Sequence, residues 1–188
     1  MANFDLLHKK AGFVGPTFSL DNRLKRTVWA MAWLCFARWS PPPAHRVRIA
    51  LLRAFGAQVS WKAYVYPNVE IWAPWNLTID DYGTLARNVI CYNIAPIVLG
   101  ARAVVSQGAH LCTGSHDFLD PAFPLTAKPI FIGRRAWVCA DAFVGPGVTL
   151  GDGAILAAAG MAHCDLLPWS IYGGNPAKFL RSRPEIND

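Results

Sequence analysis

Among the side chains that could do chemistry, His116 stands first, in the run Thr113-Gly114-Ser115-His116-Asp117. A neutral imidazole removes a proton from a hydroxyl at ordinary pH, because its unperturbed pKa is ~6.5. A lone histidine more often plays a structural part. This one, however, opens a stretch of about residues 112–131 that interrupts an otherwise regular pattern, with a glycine and a serine beside it. Long loops that leave a rigid scaffold are where function concentrates. Asp117 is one candidate to orient the ring. A backbone carbonyl or a carboxylate from elsewhere is the alternative, since adjacent residues often point apart.

The elements that must position this loop are set by a period of six. Aliphatic residues recur at Ile132, Val138, Val144, Leu150 and Leu156, and the position four further on is small or β-branched: Ala136, Ala142, Val148, Ala154 and Gly160. Such a period is neither helical nor a simple alternation, and it marks a hexapeptide solenoid. Upstream the phase continues as Val59-Val65-Ile71, Ile79-Leu85-Cys91 and Leu99-Val105-Leu111, with a slip after every third unit. If three hexapeptides make one triangular coil, every insertion leaves from the same corner. The expected fold is mainly β: a parallel β-helix of about five triangular coils, with an N-terminal α-helical cap and one excursion at about 112–131. The expected division is a helical segment 1–57, a solenoid 58–167 and a tail 168–188.

His110, His116 and His163 together would suit zinc, as three imidazoles and a water. His110 and His116 are six apart and so fall on adjacent sides of the prism, which is poor geometry for one ion, and no metal is expected. Hydrophobic residues make up 53% of the 188 and charged residues only 16%, which points to surface covered by an oligomer or a membrane. A net charge of +6 favours anionic partners. The charge is spread out and accompanies no nucleic-acid motif, so no nucleic acid is expected. Five cysteines without a regular framework read as free thiols of a reducing, cytoplasmic compartment. Met1 opens no secretory signal, and the uncharged run Val28 to Ala37 is too short to span a bilayer.

Residues 1–19 read as irregular, broken by Gly12, Gly15 and Pro16. Ser19 or Asp21 can cap a helix running to about Trp39, ended by Pro41, Pro42 and Pro43. A second helix is expected from Pro43 to Phe55, closed by Gly56, with Arg46, Arg48 and Arg53 as its basic side. These helices read as a cap over the open end of the solenoid, as a basic anchor on an acidic membrane surface, or as both. Tyr64, Tyr66, Trp72, Trp75 and Tyr82 pack beneath them or at an interface, or form a platform for sugar.

The hexapeptides, the Thr113-Gly114-Ser115-His116-Asp117 loop, Tyr92-Asn93-Ile94-Ala95-Pro96 and Gly173-Gly174-Asn175-Pro176-Ala177-Lys178 together resemble the hexapeptide-repeat acetyltransferases, most nearly their colanic-acid-biosynthesis branch. The likeness runs from about Phe18 to Arg183. It implies a left-handed helix, an exception to the usual right-handed crossover. It also implies a homotrimer with active sites between neighbouring prisms, acetyl-coenzyme A as donor and a sugar hydroxyl as acceptor. On the same resemblance His116 is the base, Asn93 binds the acceptor, and the amide of Ala140 stabilises the oxyanion. Trp137 lines the donor site, or else packs at the trimer edge. Ala158 lets the pantetheine arm pass, and Lys178 and Arg181 lie near the nucleotide phosphates. Relatives often carry Thr-Lys-Asp where this chain has His163-Cys164-Asp165, which removes one phosphate contact. Direct transfer needs no Ser or Cys nucleophile. The expected function is O-acetylation of a sugar in surface-polysaccharide or lipopolysaccharide assembly. The alternatives are N-acetylation of an amino sugar, or a non-catalytic scaffold of a membrane glycan complex.

Overall fold

The aliphatic positions of the six-residue period become three columns of stacked, inward-pointing side chains. The computed structural model describes residues 17–186, so most of the irregular stretch expected before Ser19 lies outside the described residues. Strands of two to four residues build three parallel faces. The first face comprises Gln58–Val59, Leu77–Ile79, Ile97–Leu99, Ile130–Ile132 and Thr149–Leu150. The second comprises Tyr64–Val65, Thr84–Leu85, Val104–Val105, Trp137–Val138, Ile155–Leu156 and Ser170–Gly173, and is closed by the antiparallel Lys178–Ser182. The third comprises Glu70–Ile71, Ile90–Tyr92, His110–Cys112, Phe143–Val144 and Met161–Ala162. Five complete coils result, and the bridge between Leu150 and Leu166 with the strand Ser170–Gly173 begins a sixth.

Register follows the repeat. On the first face Val59, Ile79, Leu99, Ile132 and Leu150 stack in turn. Val65, Leu85, Val105, Val138 and Leu156 do so on the second, and Ile71, Cys91, Leu111, Val144 and Ala162 on the third. All fifteen are buried, each aliphatic contributing about 1.5–3 kcal/mol of burial. The extra residues at the third corner lengthen the first-face strands, so that Leu77, Ile97 and Ile130 form a second buried rung.

The N-terminal helices close the first coil. Helix α1, Leu20–Ala32, is capped by Ser19, whose hydroxyl accepts the Asn22 N–H at 3.2 Å. It passes into a π-helical segment, Trp33–Ala37. Its inward residue Trp29 donates its indole N–H to the Ile71 carbonyl at 2.7 Å. Helix α2, His45–Ala54, starts two residues later than expected, because Pro41–Ala44 is a turn closed by Ala44 N–H to the Pro41 carbonyl at 2.9 Å. One expectation is corrected here. Arg48 is not part of a basic surface but is wholly buried. Its guanidinium donates to the Val65 carbonyl at 2.6 Å, the Ser40 hydroxyl at 2.6 Å and the Pro41 carbonyl at 3.0 Å, and also to Pro42. Three carbonyls and one hydroxyl thus surround the guanidinium, and it ties the Ser40–Pro42 turn to the second face.

Candidate active site

The excursion is an antiparallel hairpin, Gly114–His116 against Leu125–Ala127, that springs from the third corner of the third coil. Its root is stitched to the coil below. Thr113, fully buried, donates its hydroxyl to the Tyr92 carbonyl at 2.8 Å and accepts the Ala95 N–H at 3.1 Å. Gly114 passes so close that a Cβ there would lie 2.8 Å from the Tyr92 ring and 2.9 Å from Ile94. A side chain there would have to push both aside, so glycine lets the hairpin leave the corner with these neighbours in place.

His116 is exposed at the end of the first hairpin strand. Its ring lies flat on Phe123, centroids 4.4 Å apart and planes 8° from parallel, and its Nδ1 is 2.9 Å from the Phe123 carbonyl. A carbonyl only accepts, so Nδ1 carries the proton and Nε2 is left bare with its lone pair outward. The orienting partner is thus the backbone carbonyl. Asp117 is occupied elsewhere: its carboxylate accepts the Leu119 N–H at 3.0 Å, and its own N–H goes to the Pro124 carbonyl. Phe123 itself has φ +45°, a left-handed conformation uncommon for a bulky side chain, and it turns the carbonyl towards the imidazole. No sequence signal marks Phe123 or Thr113 for these tasks.

Asn93 lies one coil below and is fully buried. Its Oδ1 accepts the Ala73 N–H at 2.9 Å and its Nδ2 donates to the Ala73 carbonyl at 2.6 Å. Both ends of the amide are therefore spent on the preceding coil. In this arrangement Asn93 shapes the corner from which the hairpin rises, and its side chain has no exposed surface in the single chain.

The residues expected on the donor side gather at a different edge. Ala140 and Ala158 are equivalent residues of the second corner in successive coils, joined by Ala159 N–H to the Ala140 carbonyl at 2.9 Å. Their own N–H groups make no hydrogen bond among the described residues, so this corner presents small, at least partly exposed residues with open amide donors. Trp137, on the adjoining second face, is 44% exposed and is held by its indole N–H to the Ser106 hydroxyl at 2.8 Å. Lys178 and Arg181 are exposed on the outer strand that continues this face. Two cations, an aromatic wall and open amides suit a long phosphorylated thioester. Of the altered His163-Cys164-Asp165 stretch, Asp165 accepts the Thr149 N–H at 2.7 Å.

The third face separates these two groups. His116 rises from the third corner, whereas Ala140 and Ala158 sit at the second, so one protomer does not bring these residues to the same edge. Beneath the hairpin, between α1 and the first two coils of the third face, lies an open groove of about 540 Å³. Arg26, Glu70, Trp72, Asn88 and Tyr92 line it, with the Arg26 guanidinium 4.0 Å above the Trp72 ring. Tyr92 ties the groove to the hairpin root through its contact with Gly114. Among the described residues no group of three His, Cys, Asp or Glu side chains could hold a metal ion. No described helix is long and apolar enough to cross a membrane.

Coils, hairpin and helical cap define a class, and the chain belongs to it: the hexapeptide-repeat acetyltransferases. It is 39% identical over 176 residues to the acetyltransferase WcaF of Escherichia coli strain K12, named for colanic acid biosynthesis, across 93% of this chain and 97% of that one. It is 31% identical over 163 residues to the galactoside O-acetyltransferase of the same organism, across 79% and 73%. Among solved structures it matches a hexapeptide-repeat acetyltransferase of Vibrio cholerae O1 biovar eltor complexed with acetyl-coenzyme A, with a TM-score of 0.79, 26% identity, and coverage of 93% and 95%. No family model matches the sequence. The chain is an acetyl-coenzyme A-dependent acetyltransferase.

Proposed function

We propose that the chain moves an acetyl group from acetyl-coenzyme A to a sugar hydroxyl in surface-polysaccharide assembly, in the cytoplasm, as a homotrimer whose N-terminal helices are the part that meets a membrane surface. The observation that carries the chemistry is the bond from His116 Nδ1 to the Phe123 carbonyl, which fixes the tautomer with Nε2 bare. Nε2 takes the acceptor hydroxyl's proton as the oxygen bonds to the thioester carbonyl carbon. The negative charge that builds on the carbonyl oxygen is met by the Ala140 N–H of a neighbouring subunit, a donor of the kind worth ~10²–10³ in rate. The C–S bond then breaks, and the proton on Nε2 passes to the departing thiolate. No acyl-enzyme forms. The groove lined by Arg26, Glu70, Trp72, Asn88 and Tyr92 takes the acceptor, since aromatic faces beside hydrogen-bonding groups suit a sugar ring.

The relatives named for colanic acid and galactoside acetylation support the acceptor class. The test is thiol release from acetyl-coenzyme A across a panel of sugars. His116→Ala is expected to lose about 10²–10⁴ of the turnover with the oligomer intact. Unchanged turnover would remove His116 as the base. Turnover only with amino sugars would move the reading to N-acetylation, and none with any acceptor to a scaffold.

A further inference from the structure

We propose that the outer side of α1, with the π-helical segment and the turn that follows, docks on an anionic membrane surface. At ~100° per residue, Asn22, Arg26, Trp29 and Trp33 share one side of the helix, and Trp29 and Trp33 are buried against the first coil. Leu20, Leu24, Val28 and Met31 fall on the opposite side and are all exposed, Met31 at 63%. The apolar surface continues into Phe36 at 68% and Trp39 at 78% exposure. A helix that has already buried one apolar side needs no second one for folding, and an apolar stripe left outside marks a second contact. An apolar hollow of about 470 Å³, lined by Leu24, Val28, Phe55 and Trp75, opens beside the same stripe.

Charge decides the occupant. Arg23 and Lys25 flank the stripe on α1, and Arg38 and Arg46 stand exposed beyond it. The one acidic side chain between residues 20 and 54 is Asp21, which is paired with Lys25 at 2.7 Å. Apolar residues with an exposed tryptophan, rimmed by cations, match an interfacial helix on acidic lipid. A two-fold contact with a second copy would set arginines against arginines. This deepens the membrane contact proposed above by assigning it to one side of α1 and to anionic lipid, and it rests on the transferase reading only for its use: a lipid-carried glycan acceptor would share the surface on which the enzyme sits, which raises its effective concentration.

The test is flotation of the 188-residue protein with phosphatidylcholine vesicles, with and without phosphatidylglycerol. Binding is expected to the anionic vesicles at low salt, falling roughly tenfold or more at high salt as charges are screened. Val28→Glu with Met31→Glu should cost at least about tenfold in partitioning, and Arg38→Glu with Arg46→Glu the same on anionic vesicles alone. Both pairs are exposed, so the thermal transition should not move. No binding at low salt, or equal binding by the glutamate variants, overturns the proposal. So does a larger assembly of wild type in the absence of vesicles that the Val28→Glu, Met31→Glu variant abolishes, which would assign the stripe to a second copy. Acetyl-coenzyme A binding, followed by calorimetry, should be the same in wild type and variants. Vesicle binding without it would leave the docking intact and sink the transferase reading instead.

Discussion

Two separate parts of Phe123 support the His116 imidazole: its carbonyl holds Nδ1, and its phenyl ring stacks beneath the imidazole plane. Phe123→Gly separates them. Glycine adopts the +45° φ without strain, so the carbonyl stays while the ring is lost. Turnover should then fall by about tenfold to a hundredfold, because a small displacement of a base is costly. The KM for acetyl-coenzyme A should change less than kcat, since the lost ring stacks on the imidazole that acts as base. Steady-state kinetics in both substrates check this. The run Thr113 to Asp117 marks a functional loop in the sequence, but nothing in it says which atom holds the ring, because the partner is a backbone atom seven residues on. Asn93 teaches the converse. Its place in a familiar motif says acceptor binding, while its burial and its two bonds to Ala73 also give it a part in building the corner.

Period carries most of the information about the elements. Every aliphatic position of the repeat points inward, and every slip in the count falls at the third corner, because a closed coil leaves no other place for extra residues. The helices are legible as helices, but Arg48 is not legible as core. Helical charge patterns cannot show that three carbonyls and a hydroxyl surround a guanidinium. Arg48→Leu is therefore expected to cost roughly 1–3 kcal/mol, since the Val65 carbonyl and the Ser40–Pro42 turn lose the donor that joins them, and denaturant unfolding would show it. On the third face, His110 packs edge-on against Phe143 at 5.2 Å, with its Nε2 buried and lacking a hydrogen bond among the described residues. Burial lowers its pKa, against a smaller opposing pull from Glu70. The unfolded chain thus binds this proton more readily than the folded one, and stability is lost as pH falls below the unfolded value of ~6.5. His110→Leu should flatten that part of the stability curve between about pH 7 and 5, which melting temperatures across the range would record.

At the scale of the molecule, the separation of the two edges has a consequence that mixing can test. His116 rises from the third corner of its prism, while Ala140 and Ala158 lie at the second, with a face between them. In a trimer with cyclic symmetry each site would take the hairpin of one protomer and the donor edge of the next. His116→Ala removes the base and leaves the donor edge whole. Ala158→Trp blocks the donor edge and leaves the base whole. Each homotrimer alone should be inactive. If the two variants are unfolded together, refolded and assembled at random, a site works when the Ala158→Trp chain supplies the hairpin and the His116→Ala chain supplies the donor edge. Each choice has even odds, so about one quarter of the wild-type turnover should return. A site built within one protomer returns nothing, since every chain in the mixture is broken in one half. Thiol release by the refolded mixture, set beside each variant refolded alone, distinguishes a shared site from a private one, and restored activity would also establish that these chains assemble.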